Sequence, residues 1–141
     1  MIENIHERLK VIQALCLAFN KLASKYGTAE YKAADEAFWS AVQALDSEAK
    51  LQGAGPQVGR LIKLPYADGY ARYIITRVQT KVVKMEHLPY GSGYHSPVVR
   101  DGEADKGAIE MELEFYDGMD AAIKKCRNQR NLESHLDYPF S

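Results

Sequence analysis

Residues 64–73 read LPYADGYARY, a run of strand-type residues in which tyrosines flank an Asp-Gly turn. A second run, HLPYGSGYHSP at residues 87–97, again places tyrosines beside a turn that contains Pro and Gly. Pro, Gly and Asp favour tight turns and tyrosine favours strands, so both runs predict loops that display aromatic rings. Loops held by a sheet commonly carry binding residues, and we therefore expect a ligand-binding surface here.

The segments around these two runs predict a small antiparallel sheet. Four short runs rich in β-branched and aromatic residues are predicted strands, namely 59–64, 70–78, 81–88 and 94–99. Residues 108–115 alternate strictly between apolar side chains and glutamates, which predicts a fifth strand with one exposed face. A helix is predicted to start near Asp117, with Met119, Ile123 and Cys126 facing inward.

The first 52 residues predict a helical hairpin. Apolar residues recur every three or four positions over 5–23 and again over 31–45, which is typical of the buried stripes of two helices. Asn4 and Thr28 are suited to cap these helices. We therefore expect an α+β chain with a helical hairpin at 1–52, a five-stranded antiparallel SH3- or Tudor-like module at 58–115, and a C-terminal helix and tail at 117–141.

The apolar faces of the two N-terminal helices are wide. Leu15, Leu22 and Trp39 lie beside the main stripes, so one partner helix does not cover the whole face. Either the sheet or a second copy of the chain covers the remainder. We expect a homo-oligomer that forms through these helices.

Composition limits the class of protein. The chain has 141 residues, of which 46% are hydrophobic and 26% charged, as expected for one domain or two small modules that share a core. Its apolar runs are too short to span a bilayer, and the first residues are charged where a signal peptide is apolar, so we expect a cytoplasmic protein without membrane contact. Cys16 and Cys126 are far apart and are expected to be thiols rather than a disulfide or metal pair.

Positive charge is concentrated in the middle of the chain. The net charge is −1, but residues 53–107 contain eight basic and five acidic residues, a local balance of +3. This balance suits an anionic ligand, although it is well below the basic footprint of a protein that binds duplex nucleic acid. A small molecule that carries phosphate is the expected ligand, and nucleic acid is not an expected partner.

Aromatic and basic residues are the main candidates for a binding site. Tyrosine rings stack on bases or hold cations, and the alternative is that they pack the outside of the sheet. Arginine offers two phosphate oxygens a planar fork, and Arg100, beside the His95-Ser96 loop, is the favoured clamp; the alternative is a solvated arginine paired with Asp101. The predicted ligand-binding residues are Tyr70, Arg72, Arg77, Tyr90, Tyr94, His95, Ser96 and Arg100.

Catalysis is not expected from this sequence. His95 and Ser96 are adjacent, and neighbours on a strand point to opposite faces, so they do not form a working nucleophile and base. His87 has no evident acid or base partner in the sequence. Histidine and cysteine spacings typical of a metal site are also lacking, and we expect neither a metal nor a cofactor.

The two tyrosine runs also resemble known families. The segment from Asp68 to Tyr73, with the later Tyr90-Gly91, is similar to Tudor-like barrels. The patterns Asp-Gly-x-Ala-x-Tyr and His-x-Pro-x-Gly-x-x-Tyr are similar to those of small phage and mobile-element proteins. Within that group the chain resembles the signal-sequestering proteins, or sponges, that phages deploy against Thoeris and related nucleotide-signalling defences.

Three functional hypotheses follow from these residues and resemblances. The sponge resemblance implies a non-enzymatic oligomer in the host cytoplasm that binds a cyclic nucleotide with arginines and stacked rings. The Tudor resemblance implies an adaptor that binds a protein segment in an uncharged aromatic groove. A phage accessory protein for nucleic acid would need a continuous basic stripe.

Overall fold

A computed structural model describes residues 4–67, 69–89 and 95–135, with side chains up to residue 129. The first part is the predicted helical hairpin, in which α1 spans Ile5–Lys21, a single 3-10 turn spans Ala23–Lys25, and α2 spans Ala29–Lys50. Thr28 caps α2 as predicted, because its hydroxyl accepts a hydrogen bond from a backbone N–H in the first turn of the helix. The prediction for Asn4 is wrong, since its side chain makes no capping hydrogen bond to α1.

Four antiparallel strands follow the hairpin. They are β1 (Leu61–Tyr66), β2 (Gly69–Val78), β3 (Val82–Leu88) and β4 (Glu103–Asp105). They lie in this order in one sheet, which curls like half a barrel. The first three overlap the predicted strands 59–64, 70–78 and 81–88, with β1 shifted by two residues toward the C-terminus. At the turn between β1 and β2, Ala67 has a φ of 49°, the left-handed conformation that a two-residue hairpin turn requires.

Two of the five predicted strands are wrong. Residues 95–99, the described part of one of them, form a turn, after which Arg100 and Glu103 exchange two backbone hydrogen bonds of 2.9 Å. Residues 108–115 are helical and belong to α3, which spans Lys106–His135. Asp105 stabilises the start of this helix, because its carboxylate accepts a hydrogen bond from the N–H of Ala108. The described residues therefore form a four-stranded sheet rather than a five-stranded barrel.

The N-terminal hairpin packs on one face of this sheet. The buried cluster between them consists of Leu9, Ile12 and Cys16 of α1, Phe38, Val42, Leu45 and Ala49 of α2, and Ile74 and Leu88 of the sheet. Leu15 and Trp39 also pack against this cluster. The sequence left two alternatives for what covers the wide apolar face of the hairpin, namely the sheet or a second copy of the chain. The sheet covers much of this face.

Helix α3 packs on the opposite face of the sheet. Ile109 and Leu113 are buried there against Ile62, Tyr73 and Val83 of the first three strands. The sheet thus lies between the hairpin and α3. This three-layer arrangement is the usual way for a sheet to bury two apolar faces.

The C-terminal half of α3 extends beyond the other elements. Every side chain from residue 118 to residue 129 is exposed. Met119, Ile123 and Cys126 are among them, so the prediction that they face inward is wrong. The physical reason is that the sheet ends near the turn that contains Leu113, and no described element lies against the helix beyond Asp117.

A buried arginine joins the layers at one end of the sheet. Arg60, which is 3% exposed, places its Nε 2.8 Å from Oδ1 of Asp46 on α2 and its Nη2 2.8 Å from Oδ1 of Asp117 on α3. Burial lowers the pKa of Arg60, but the two carboxylates outweigh it and the net pKa is raised. The guanidinium therefore stays charged and connects the hairpin to α3.

Candidate functional site

A groove opens where β2 begins and β3 ends. It encloses about 360 Å³, and its described lining consists of Tyr66, Gly69, Tyr70, Ala71, Arg72, His87, Leu88 and Pro89. We call it the β2 groove. Tyr70 and Arg72 are two of the predicted ligand-binding residues, and the fold brings them to the same groove. His87 of β3, the partner of Tyr73 in the sheet, also contributes to the lining.

Arg72 is held in place by an aromatic ring and keeps its hydrogen-bonding edge available. Its Cζ lies 5.2 Å from the centroid of the Trp39 ring, a cation–π contact with α2. Within the described residues, Arg72 forms no ion pair with a carboxylate. A cation–π contact uses the face of a guanidinium and leaves its N–H groups free to donate, so Arg72 is suited to an anionic ligand.

Two histidines and a tyrosine form a cluster next to the groove. The ring centroids of His87 and His95 are 4.5 Å apart, and those of Tyr73 and His87 are 5.0 Å apart. Burial lowers the pKa of His87, and the nearby His95 lowers it further. His87 is therefore neutral at neutral pH, and among the described residues its Nδ1 has no hydrogen-bond partner.

Ser96 has a structural position rather than a place in the groove. It is 1% exposed, and its backbone N–H donates a 2.8 Å hydrogen bond to the Tyr73 hydroxyl. Its own hydroxyl accepts from the N–H of Val98. These bonds hold the His95 segment against the sheet, which explains how His95 reaches His87.

The other predicted site residues do not line the β2 groove. Arg77 is exposed near the far end of β2, and Arg100 is exposed in the tight turn before β4. Tyr90 and Tyr94 lie outside the described residues. Arg100, the favoured phosphate clamp, therefore lies on a different part of the surface from the β2 groove that contains Arg72.

A second groove lies on the other side of Tyr70. It encloses about 590 Å³ and is lined by Pro65, Ala67, Gly69, Tyr70, Met111, Glu112, Phe115 and Tyr116. The rings of Tyr70 and Tyr116 meet edge to face at 5.8 Å. Burial, with smaller contributions from Tyr70 and Glu112, raises the pKa of Tyr116 to about 12. Tyr70 therefore separates the two grooves.

Sequence reasoning missed two residues that shape this region. Trp39 was assigned only to the wide apolar face of the N-terminal helices, whereas it also supports Arg72. Tyr116 was not singled out in the sequence, and α3 places it against Tyr70. A single tryptophan beside the apolar stripe of α2 was the available signal for the first, because Arg and Trp form favourable pairs.

Neither a metal site nor a membrane span is found in the described residues. In the described ranges no three His, Cys, Asp or Glu side chains are grouped as a metal site requires. No described helix is long and apolar enough to cross a membrane. Comparisons with protein families, with characterised proteins and with solved structures find no match for this chain. The functional proposal therefore depends on the chemistry of the β2 groove.

Proposed function

We propose that this protein is a non-enzymatic binding protein that holds a small phosphate-containing cyclic nucleotide in the β2 groove. The observation that carries the proposal is the position of Arg72, which is fixed on the Trp39 ring beside Tyr70 and has no carboxylate partner in the described chain. Release of the ligand unchanged would make the protein a sponge for a nucleotide signal, in agreement with the resemblance to phage proteins that counter nucleotide-signalling defences.

Four properties of the groove support a nucleotide. Arg72 offers N–H donors to phosphate oxygens, and Tyr70 offers an exposed ring on which a base can stack. The volume of about 360 Å³ is within the range of about 300 to 1,000 Å³ that small-molecule sites occupy. His87 lines the groove as a neutral imidazole, because burial lowers its pKa, and it adds no charge that would compete with Arg72 for the phosphate.

The alternative adaptor function fits this groove less well. An adaptor of the Tudor type uses an uncharged aromatic groove, whereas Arg72 places a permanent positive charge in this one. A lysine- or arginine-containing segment would be repelled by that charge. The nucleotide proposal needs the charge, and this difference makes Arg72 the residue to test.

The test is titration calorimetry of the full chain with a panel of cyclic mononucleotides, cyclic oligonucleotides and cyclic ADP-ribose isomers. For a nucleotide that binds, Arg72→Ala should weaken binding about 10- to 100-fold, the usual cost of a lost hydrogen bond to a charged group. Arg77→Ala is the matched control, because it removes an exposed arginine from the same strand. Its affinity should equal that of the parent.

Three results would overturn the proposal. The first is that no nucleotide of the panel binds. The second is that Arg100→Ala abolishes binding while Arg72→Ala does not, which would move the site to the turn before β4. The third is a hydrolysed nucleotide in the supernatant after denaturation of the complex, since we expect the ligand to be recovered intact.

A further inference from the structure

Helix α3 carries an apolar stripe that no described element covers. Its members recur at spacings of three and four and are Met111, Phe115, Met119, Ala122, Ile123 and Cys126. Met111 is 73% exposed and Phe115 62% exposed, and Met119 and Ile123 are 40% and 44% exposed. We call this set the α3 stripe. Exposed apolar residues scattered singly are ordinary, but a continuous stripe of this length indicates an interface.

Charge along α3 is separated into two blocks. Residues 110–120 contain five acidic residues and no basic one. Residues 121–132 contain four basic residues and no acidic one. Two copies in parallel would place like charges side by side, whereas two antiparallel copies place the acidic turns of each against the basic turns of the other. The helix is thus complementary to a second copy of itself in the reverse direction.

We propose that a second copy of this chain covers the α3 stripe in an antiparallel two-fold dimer. Contact between the two apolar stripes and pairing of acidic with basic blocks both favour the same axial alignment of the two α3 helices. When the helices cross between Asp120 and Ala121, Phe115 meets Cys126 of the partner subunit and Met119 meets Ala122 of the partner subunit. This arrangement is isologous, so each contact occurs twice and the assembly closes at two copies. It does not depend on the proposed nucleotide ligand.

One charged pair at the border of the stripe defines the interface further. Successive helical residues turn by about 100°, which places Glu114 and Lys125 along the same border of the stripe. In the proposed register, Glu114 approaches Lys125 of the partner subunit. Lys124 points to the opposite side of the helix and is exposed. Lys124 and Lys125 therefore have the same charge and are adjacent in the chain, but only Lys125 borders the α3 stripe.

The first test is analytical ultracentrifugation of the full chain over a concentration series. The parent should dimerise, and Lys125→Glu should raise the dimer dissociation constant about tenfold or more, because two like-charge contacts replace two attractive ones. Glu114→Lys should do the same. An equimolar mixture of the two variants should form a heterodimer, and Lys124→Glu should behave as the parent does. All of these side chains are exposed, so the monomer fold is retained.

The second test determines the direction of the helices by oxidative cross-linking. Parallel helices would bring the two Cys126 residues together, whereas the proposed register separates them by about 16 Å along the axis, too far for a disulfide. Phe115→Cys should cross-link to the native Cys126 of the partner subunit. The double variant Phe115→Cys with Cys126→Ser is the control and should not cross-link. Cys16 is buried and does not interfere.

Several results would overturn the inference. A monomeric mass at every concentration would exclude the dimer. Equal weakening by Lys124→Glu and Lys125→Glu would show that the α3 stripe is not the contact. A disulfide between two Cys126 residues of the parent chain, without cross-linking of Phe115→Cys, would show that the helices are parallel.

Discussion

At the scale of single residues, Arg60 is a buried cation held from two layers of the fold. It is surrounded by two carboxylates from different layers, and the Asp46 carboxylate also accepts a 2.7 Å hydrogen bond from the N–H of Leu61. Burial alone would raise the pKa of Asp117, but the hydrogen bonds and charge of Arg60, with a contribution from Lys50, hold that pKa below its ordinary value. Arg60 is therefore a structural cation and not a candidate for ligand binding.

We predict that Arg60→Ala lowers the free energy of unfolding by about 3 kcal/mol, because it leaves two partly buried carboxylates without their partner. Arg77→Ala is the control and should change the free energy of unfolding by less than about 0.5 kcal/mol, since it is exposed. Urea denaturation followed by circular dichroism measures both. A loss for Arg60→Ala no larger than that of the control would contradict the structural role.

We also predict that His87 makes the stability of the protein depend on pH. Burial, together with His95, holds the pKa of His87 in the folded chain below its ordinary value of 6.5, so the unfolded chain binds this proton more readily. The contribution of His87 to the free energy of unfolding is therefore complete above pH 6.5. It declines as the pH falls from there toward the lowered pKa. The slope is at most about 1.4 kcal/mol per pH unit.

The measurement is the free energy of unfolding of the parent and of His87→Gln at about pH 7.5 and about pH 5.5. The parent should lose more stability than the variant over this interval. The lowered pKa of Asp117 acts only near and below its ordinary value of 3.8, so it does not contribute in this window. Equal losses for the two proteins would show that His87 is not the responsible group.

At the scale of elements, α3 shows how one pattern can predict the wrong structure. Residues 108–115 alternate between apolar side chains and glutamates, which is typical of a strand. In the helix, the same apolar residues belong to two different stripes: Ile109 and Leu113 face the sheet, whereas Met111 and Phe115 are exposed. The high helix propensity of Glu, Met and Leu, and the capping residue Asp105, were signals for the helix.

We predict opposite effects for alanine at two glycines near this helix. Gly118 lies within α3, and a Cβ there would meet nothing within 4 Å. Gly118→Ala should therefore increase the helical content and raise the free energy of unfolding by up to about 1 kcal/mol. Gly102 has a φ of 73°, and a Cβ there would lie 3.3 Å from the Met85 carbonyl, so Gly102→Ala should destabilise by about 1 to 2 kcal/mol.

Far-UV circular dichroism and urea denaturation measure both glycine variants. The helical signal should increase for Gly118→Ala and stay constant for Gly102→Ala. Stabilisation by Gly102→Ala would mean that the turn before β4 is not held in the left-handed conformation.

The hairpin and the first three strands were predictable because their patterns are local. Helical stripes and short β-rich runs are set by neighbouring residues, and Thr28 stands just before the second stripe, where a helix cap is favoured. The β2 groove was predictable only in part. Tyr70 and Arg72 lie in one recognisable run, but the support of Arg72 by Trp39 and the contact of His87 with His95 join distant segments. Such contacts depend on the packing of layers, which periodicity does not specify.

At the scale of the whole molecule, the three layers and the free end of α3 should differ in local stability. Opening the turns around Ile109 and Leu113 exposes the apolar core between α3 and the sheet. Opening the turns of residues 121–129 exposes no further apolar core, because these side chains are already exposed in the monomer. Local opening therefore has a low free-energy cost at the end of α3 and a high cost near the sheet.

We predict that hydrogen exchange measured at two protein concentrations separates the monomer from the proposed dimer. At low micromolar concentration, the amides of residues 121–129 should exchange much faster than those of residues 109–113. At several hundred micromolar, the amides of residues 121–129 should become protected, because dimerisation through the α3 stripe couples their opening to dissociation. Lys125→Glu should remain unprotected at both concentrations, and Lys124→Glu should follow the parent. If the amides of residues 121–129 exchange fast at both concentrations, the end of α3 has no partner in another copy. If they exchange slowly at both concentrations, the chain itself covers this end.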